Sequence, residues 1–298
     1  MGEITDALKR ARLAARARQA IEEADASPEL APAGEAAGHE AGPAAGVGAP
    51  LTEMAPIDLS RELDAGWRAR SVALESQGAT VEAFRQLAIR VRTALERRGA
   101  RSVAIAGPLQ GEGKTTIACN LALALASLAP RRRSIALVDL DLRLGSVAAD
   151  LGLGAGAGAG TEDVLAGRKT LDDVVVPVAT PALDVYPTFE PSNAPHELLT
   201  SPRLAQLVRT LERRYAVVVY DTPPALVVSD ARLILAEVAT WVGVARAGST
   251  RRNGFERMLE LLPSEGLLGV TLNEGASSVG GGDYDAYYYG SSRKRSQP

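Results

Sequence analysis

The stretch Gly107-Pro-Leu-Gln-Gly-Glu-Gly-Lys-Thr-Thr116 follows the apolar run Val103 to Ala106 and leads directly into the helical run Ile117 to Leu128. This order restricts the fold more than any other feature of the chain. A buried strand that stops at a glycine-rich turn and feeds a helix aims successive backbone N–H groups and the helix's positive end at one point, which suits a polyphosphate. In such a loop Gly111 and Gly113 allow close backbone approach, Lys114 reaches the β- and γ-phosphates, and Thr115 places its hydroxyl on Mg2+. The strict pattern is not met in full. Pro108, beside Gly107, stands where a glycine is expected five residues before Gly113.

Strand-like runs follow at Ser102 to Ala106, Ile135 to Asp139, Leu183 to Tyr186, Val217 to Asp221, Thr240 to Ala245 and Gly269 to Leu272. Helical patterns precede or separate most of them, at Thr80 to Arg98, Thr115 to Leu128, Ser201 to Arg213, Asp230 to Glu237 and Arg252 to Leu262. In the first, Val81, Phe84, Leu87, Val91 and Leu95 recur every three or four residues and mark one apolar face. Strands alternating with helices predict an α/β fold, a mainly parallel sheet flanked by helices, with ligands outside the carboxyl ends of the strands. With 46% hydrophobic but only 4% aromatic residues, its core is expected to consist of Val, Leu, Ile and Ala.

A loop that binds ATP needs acidic groups at neighbouring strand ends to hold Mg2+ and orient the attacking oxygen. Two runs qualify. Leu137-Val-Asp-Leu-Asp-Leu-Arg143 ends in Asp139, Asp141 and Arg143 at alternating positions, which in an extended chain puts both aspartates on one side. Val217-Val-Val-Tyr-Asp-Thr-Pro-Pro224 ends in Asp221, after which two prolines stop regular structure.

The remainder sets boundaries. Residues 1–26 read as a basic helix with Lys9, Arg10, Arg12, Arg16 and Arg18, suited to an anionic membrane surface, to a partner or simply to solvent. Residues 27–58 form an Ala/Pro/Gly linker without periodicity. The domain proper occupies 59–274, with a chemically bare Gly/Ala loop at 152–160. Residues 275–298 cannot build a core, yet they hold Tyr284, Tyr287, Tyr288 and Tyr289 beside Asp283 and Asp285, then Arg293-Lys294-Arg295. A net charge of −3 gives no electrostatic case for nucleic acid. The lone Cys119 excludes an internal disulfide and fits a packed position on the helix after the loop, and His39 and His196 lack metal-ligand spacing. No segment has the roughly 18–20 consecutive apolar residues that span a bilayer, so a cytoplasmic location is expected.

On these residues the chain resembles the bacterial protein-tyrosine kinases (BY-kinases) of capsule and exopolysaccharide systems. The resemblance runs from about Leu74 to Asn273 and includes the tail. LVDLDLR is similar to the family's second acidic motif, and VVVYDTPP, Asn193-Ala-Pro-His-Glu-Leu-Leu199, Ser229-Asp-Ala231 and the tyrosine cluster add to the likeness. It implies a P-loop fold of the deviant Walker type shared with partition ATPases. It also implies ATP held by Gly111, Glu112, Gly113, Lys114, Thr115 and Thr116, and Mg2+ by Thr115, Asp139 and Asp221. Lys114, Asp139, Asp141 and Arg143 would be catalytic, with Asp139 or Asp141 assisting deprotonation of the tyrosine. The tail tyrosines would be phosphorylated by a neighbouring subunit. A separate membrane-embedded activator, the chain-length regulator of polysaccharide export, would hold the kinase at the inner face of the plasma membrane. Where the family's oligomerisation helix carries Glu-x-x-Arg-x-x-Arg, this chain has Glu82-Ala-Phe-Arg-Gln-Leu-Ala88, which leaves the oligomer size open. Cell-division and plasmid-partition ATPases are the main alternative, but they carry a signature lysine at the position of Leu109. A non-catalytic nucleotide-sensing subunit of an export complex is the other.

Overall fold

The computed structural model describes residues 78–129, 134–153, 158–178 and 183–274, all within the unit Met54–Pro298. The expected basic helix 1–26, the linker 27–58 and the tail 275–298 with its four tyrosines lie outside the described residues. So do residues 59–77 of the expected domain and 154–157 of the Gly/Ala loop.

In chain order the elements are α1 (Ala79–Arg98), β1 (Ser102–Ala106), α2 (Lys114–Leu128), β2 (Ile135–Asp139), α3 (Ser146–Asp150), α4 (Thr161–Ala166), α5 (Leu171–Val174), β3 (Val176–Val178) and β4 (Leu183–Tyr186). After these come α6 (Pro195–Thr200), α7 (Pro202–Arg214), β5 (Val217–Asp221), α8 (Asp230–Glu237), β6 (Trp241–Arg246), α9 (Arg252–Leu261), a 3-10 turn (Ser264–Gly266) and β7 (Leu267–Asn273). The strands form one sheet in the order β3-β4-β2-β5-β1-β6-β7, parallel throughout except that β3 runs antiparallel to β4. The carboxyl ends of β1, β2, β5, β6 and β7 therefore share one edge of the sheet.

Four strands match the sequence expectation residue for residue, while β6 keeps its expected length but lies one residue later and β7 is longer than its apolar run. The sequence pattern did not disclose β3, a three-residue edge strand containing Pro177, where a missing N–H is tolerated. It also missed the short helices α3 to α6, each too brief to show a period of 3.6. The end of the Gly/Ala loop is not chemically idle either. Gly160 caps α4, its N–H donating to Asp163 Oδ2 at 3.1 Å.

Helix α2 is apolar on nearly every side, and it is buried on nearly every side between α1 and the sheet. Leu121 and Leu123 are fully buried there, each stabilising the fold by about 1.5–3 kcal/mol. Cys119 is a buried, free thiol on the same helix. Helix α1 packs Val81, Phe84, Ala88, Val91 and Leu95 against it and stops at Gly99, whose φ of 63° ends the helix in a left-handed turn. Ala88 is fully buried. At the position where the oligomerisation motif would carry its second arginine, this chain has a core residue, and Glu82 and Arg85 face solvent 3.6 Å apart. Among the described residues no helix is long and apolar enough to cross a membrane.

Candidate active site

The sheet order puts β5 between β1 and β2, so the loops after three adjacent strands meet over one point. The register pairs Asp139 directly with Asp221 and Ile105 with Asp221. Both aspartates are fully buried. Burial raises Asp221 to about 7, against the opposing pull of the Thr115 hydroxyl and Lys114, with Asp141 and Asp150 adding to the rise. Burial first and the Asp221 charge second push Asp139 well above the carboxylate range. Two buried acids side by side are costly unless a cation joins them.

Two groups on the phosphate loop address this pair. Thr115 Oγ1 donates to Asp221 Oδ2 at 2.6 Å, while the other oxygen of Asp221 accepts the Thr222 N–H at 3.1 Å. Lys114 is 6% exposed, and its Nζ donates to the Leu109 carbonyl at 2.9 Å. Burial lowers its pKa, opposed by Asp221, Asp141 and Glu112. The loop turns through Gly111 (φ 80°) and Gly113 (φ 90°), conformations that side chains disfavour. At Gly113 a Cβ would stand 2.0 Å from Asn273 Nδ2, which donates to the Glu112 carbonyl at 3.1 Å. No side chain caps the start of α2, so its first N–H groups remain for an anion. Thr116 is partly buried, and its carbonyl accepts from Asn120 Nδ2 at 2.8 Å.

Pro108 proves compatible with this geometry. The carbonyls of Gly107 and Pro108 accept the N–H groups of Ala225 and Leu226 at 3.0 and 3.1 Å, tying the loop to the segment after β5. Glu112 points into the protein. Its Oε1 accepts Thr250 Oγ1 at 2.9 Å, its Oε2 is buried without a hydrogen bond, and burial raises its pKa. It braces the loop from within. Arg246 adds a tie from outside, with Nη1 on the Gly111 carbonyl at 3.1 Å and Nε on Glu274 Oε2 at 2.8 Å.

The alternation expected for Asp139 and Asp141 does not hold, because β2 ends at Asp139 and the chain turns. Asp139 Oδ1 accepts the Asp141 N–H and Oδ2 the Val147 N–H, both at 3.0 Å. Both oxygens of Asp139 are thus engaged. Asp141 is 5% exposed; its Oδ1 accepts the Arg143 N–H at 3.3 Å, and burial raises its pKa against the backbone bonds from Arg143 and Leu144 and the charge of Lys114. Arg143 does not join the acids. Its Nε donates to Asp230 Oδ2 at 2.8 Å, and His196 Nδ1 lies 3.7 Å from Asp230 Oδ1. The segments Asn193 to Leu199 and Ser229 to Ala231 thereby meet the end of the DLDLR run.

The donor set fits a magnesium nucleotide. A hydroxyl already aligned on a strand-end carboxylate, a second buried acid beside it and a lysine within the loop need only phosphates and one divalent ion to balance their charge. Asn273, Arg246 and Thr250 shape this region without any local motif, Asn273 offering only the small signal of a polar residue closing an apolar strand, whereas Asp230 belongs to the Ser229-Asp-Ala231 segment already noted.

No protein-family model matches the chain. It is similar to the EpsB protein of Ralstonia nicotianae, 32% identical over 199 residues, but these make up 66% of this chain and only 26% of that protein. The chain likewise spans 22% of the EpsB protein of Ralstonia solanacearum. Among solved structures it resembles the kinase domain of the Escherichia coli tyrosine kinase ETK, with a TM-score of 0.63 and 26% identity over 75% of this chain and 90% of that one. The tyrosine-protein kinase CpsD of Streptococcus agalactiae is 30% identical over 203 residues, 67% of this chain and 87% of that protein. Such agreement along nearly the whole of a short relative, joined to a shared fold, means that the chain belongs to the bacterial protein-tyrosine kinase family.

Proposed function

We propose that the chain is an ATP- and Mg2+-dependent tyrosine autokinase whose acceptors are Tyr284, Tyr287, Tyr288 and Tyr289. One observation carries this: Lys114, Thr115, Asp139, Asp141 and Asp221 converge at the ends of β1, β5 and β2, with Thr115 Oγ1 2.6 Å from Asp221. ATP with Mg2+ supplies the phosphoryl group and the charge that the buried acids lack. Lys114 and the backbone N–H groups of residues 111–116 bind the phosphates, and Thr115, Asp139 and Asp221 hold the metal. Asp141 is the better base of the two candidates. Both oxygens of Asp139 accept backbone N–H groups at 3.0 Å and the residue is fully buried, whereas the Asp141 bond to the Arg143 N–H is longer, at 3.3 Å, and its side chain keeps some exposure toward an incoming hydroxyl. Asp141 would take the proton from the tyrosine Oη as that oxygen bonds to the γ-phosphorus and the bond from this phosphorus to the β,γ-bridging oxygen breaks, ADP leaving.

Gly275 to Tyr287 can extend about 40 Å, which supports transfer between copies of the chain. Each phosphotyrosine adds about −1.5 to −2 charge, so a fully modified tail repels its like and loosens an assembly. The motifs shared with capsule and exopolysaccharide kinases support a role in polysaccharide polymerisation or export, docked on a membrane-embedded activator at the inner face of the plasma membrane. Similarity to CpsD supports this function over a positioning ATPase. Replacing the four tail tyrosines by phenylalanine should abolish phosphate incorporation and leave nucleotide binding intact. Undiminished incorporation elsewhere on the chain would reject the tail as acceptor.

A further inference from the structure

Arg143 lies two residues beyond the proposed base and its charge acts on Asp141, yet its side-chain hydrogen bond goes to Asp230 and not to the acids of the site. Asp230, at the start of α8, is 1% exposed and grips Nε at 2.8 Å, while the Arg143 side chain is 41% exposed. A guanidinium has five N–H donors in a fixed fork. The Nη groups of Arg143 have no partner among the described residues, so a buried carboxylate orients an arginine whose outer edge is open. Asp230 Oδ1 is buried without a hydrogen bond, and His196 Nδ1 on α6 lies 3.7 Å from it.

Exposed apolar side chains flank both members of the pair. Leu144, directly after Arg143, is 49% exposed, and Val227, three residues before Asp230, is 62% exposed. They stand on the loops after β2 and β5, neighbours in the sheet. A single rim of the site thus offers an oriented cation beside apolar surface.

The tail has the matching chemistry in Asp283-Tyr284-Asp285. A tyrosine flanked by carboxylates approaches a site already crowded with Asp139, Asp141, Asp221 and the nucleotide's phosphates, and Lys114 is buried within the loop. Like charge at such short range opposes binding unless a cation at the mouth offsets it. We propose that Arg143, oriented by Asp230, is the acceptor-specificity residue: its Nη groups take a carboxylate adjacent to the acceptor tyrosine, while Leu144 and Val227 pack against the ring. The acceptor class is an acidic-flanked tyrosine peptide, first of all residues 283–285 of another copy of this chain. This rests on the kinase assignment above. Asp230 is a positioning residue and touches no substrate.

The test uses the full chain with two short peptides, one carrying residues 281–286 and one with both aspartates replaced by asparagine. The wild type is expected to favour the acidic peptide in kcat/KM by about tenfold, the size of one exposed charge-assisted hydrogen bond. Arg143→Gln should erase that ratio, Arg143→Lys should keep part of it, and Asp230→Asn should reduce it by loosening the guanidinium. The ratio does not depend on how much activity a variant retains. Binding of the acidic peptide, fluorescently labelled, is measured in parallel so that an inactive variant still reports. A loss of about tenfold in affinity on Arg143→Gln supports the subsite. Equal preference, or equal affinity, in wild type and Arg143→Gln overturns it, as does a wild type that phosphorylates both peptides alike. A wild type that phosphorylates no tyrosine rejects the kinase assignment instead.

Discussion

Replacing Gly113 by alanine sets the phosphate loop against the end of β7. At φ 90° an L-residue pays about 1–2 kcal/mol for left-handed backbone. The added Cβ starts 2.0 Å from Asn273 Nδ2, so the amide must swing away and lose its 3.1 Å bond to the Glu112 carbonyl. That loss is about 0.5–1.5 kcal/mol. The sum, about 2–3 kcal/mol, lowers the Tm of a domain of this size by roughly 5–10 °C. Asn273→Ala alone removes only the hydrogen bond. Because both substitutions destroy the same bond, the double variant should be less destabilised than the sum by about 1 kcal/mol. Urea denaturation of the four proteins without nucleotide measures this, and strict additivity would refute a loop braced by Asn273.

Further outcomes follow from the same contacts. Asp221 is held at about 7 against 3.8 for an ordinary aspartate, so the native protein keeps a proton that the unfolded chain has released, and nucleotide-free stability should fall as pH rises through that window. Asp221→Asn should flatten that decline in denaturation curves; a wild type that gains stability from about pH 5 to about pH 8 would contradict the assignment. Tyr220 is fully buried and its hydroxyl has no hydrogen-bond partner, so Tyr220→Phe should preserve autophosphorylation and raise stability by about 1 kcal/mol in the same assay. Arg246→Ala should change stability by less than about 1 kcal/mol, since its pair with Glu274 is exposed. It should nevertheless weaken binding of a fluorescent ATP analogue by freeing the Gly111 carbonyl.

The sequence disclosed most of what depends on short-range pattern. Apolar runs bounded by glycine, proline or aspartate located β1, β2, β4 and β5 to the residue, because both faces of these strands are buried and periodicity is not needed to see them. Asp139 and Asp221 were legible as strand ends, but their direct pairing depends on β5 inserting between β1 and β2, which chain order does not reveal. Asp141 was found for the wrong geometric reason: the strand stops at Asp139, and a turn held by the Asp139 carboxylate brings Asp141 back. Arg143 and Asp230 each stood in a noted segment, yet nothing local paired them across 87 residues. Long-range side-chain pairs of this kind leave no local signature. Ala88 illustrates the reverse, since a departure from a surface motif became intelligible once the residue was seen in the core.

The most direct measurement is incubation of the purified full chain with γ-phosphate-labelled ATP and Mg2+, followed by phosphotyrosine mapping, with Lys114→Met and Asp141→Asn alongside. The account predicts label on Tyr284, Tyr287, Tyr288 or Tyr289 in the wild type and none in either variant, while Asp141→Asn still binds nucleotide. Tail label that persists in Lys114→Met, or ATP hydrolysis by the wild type with no phosphotyrosine anywhere on the chain, would contradict it.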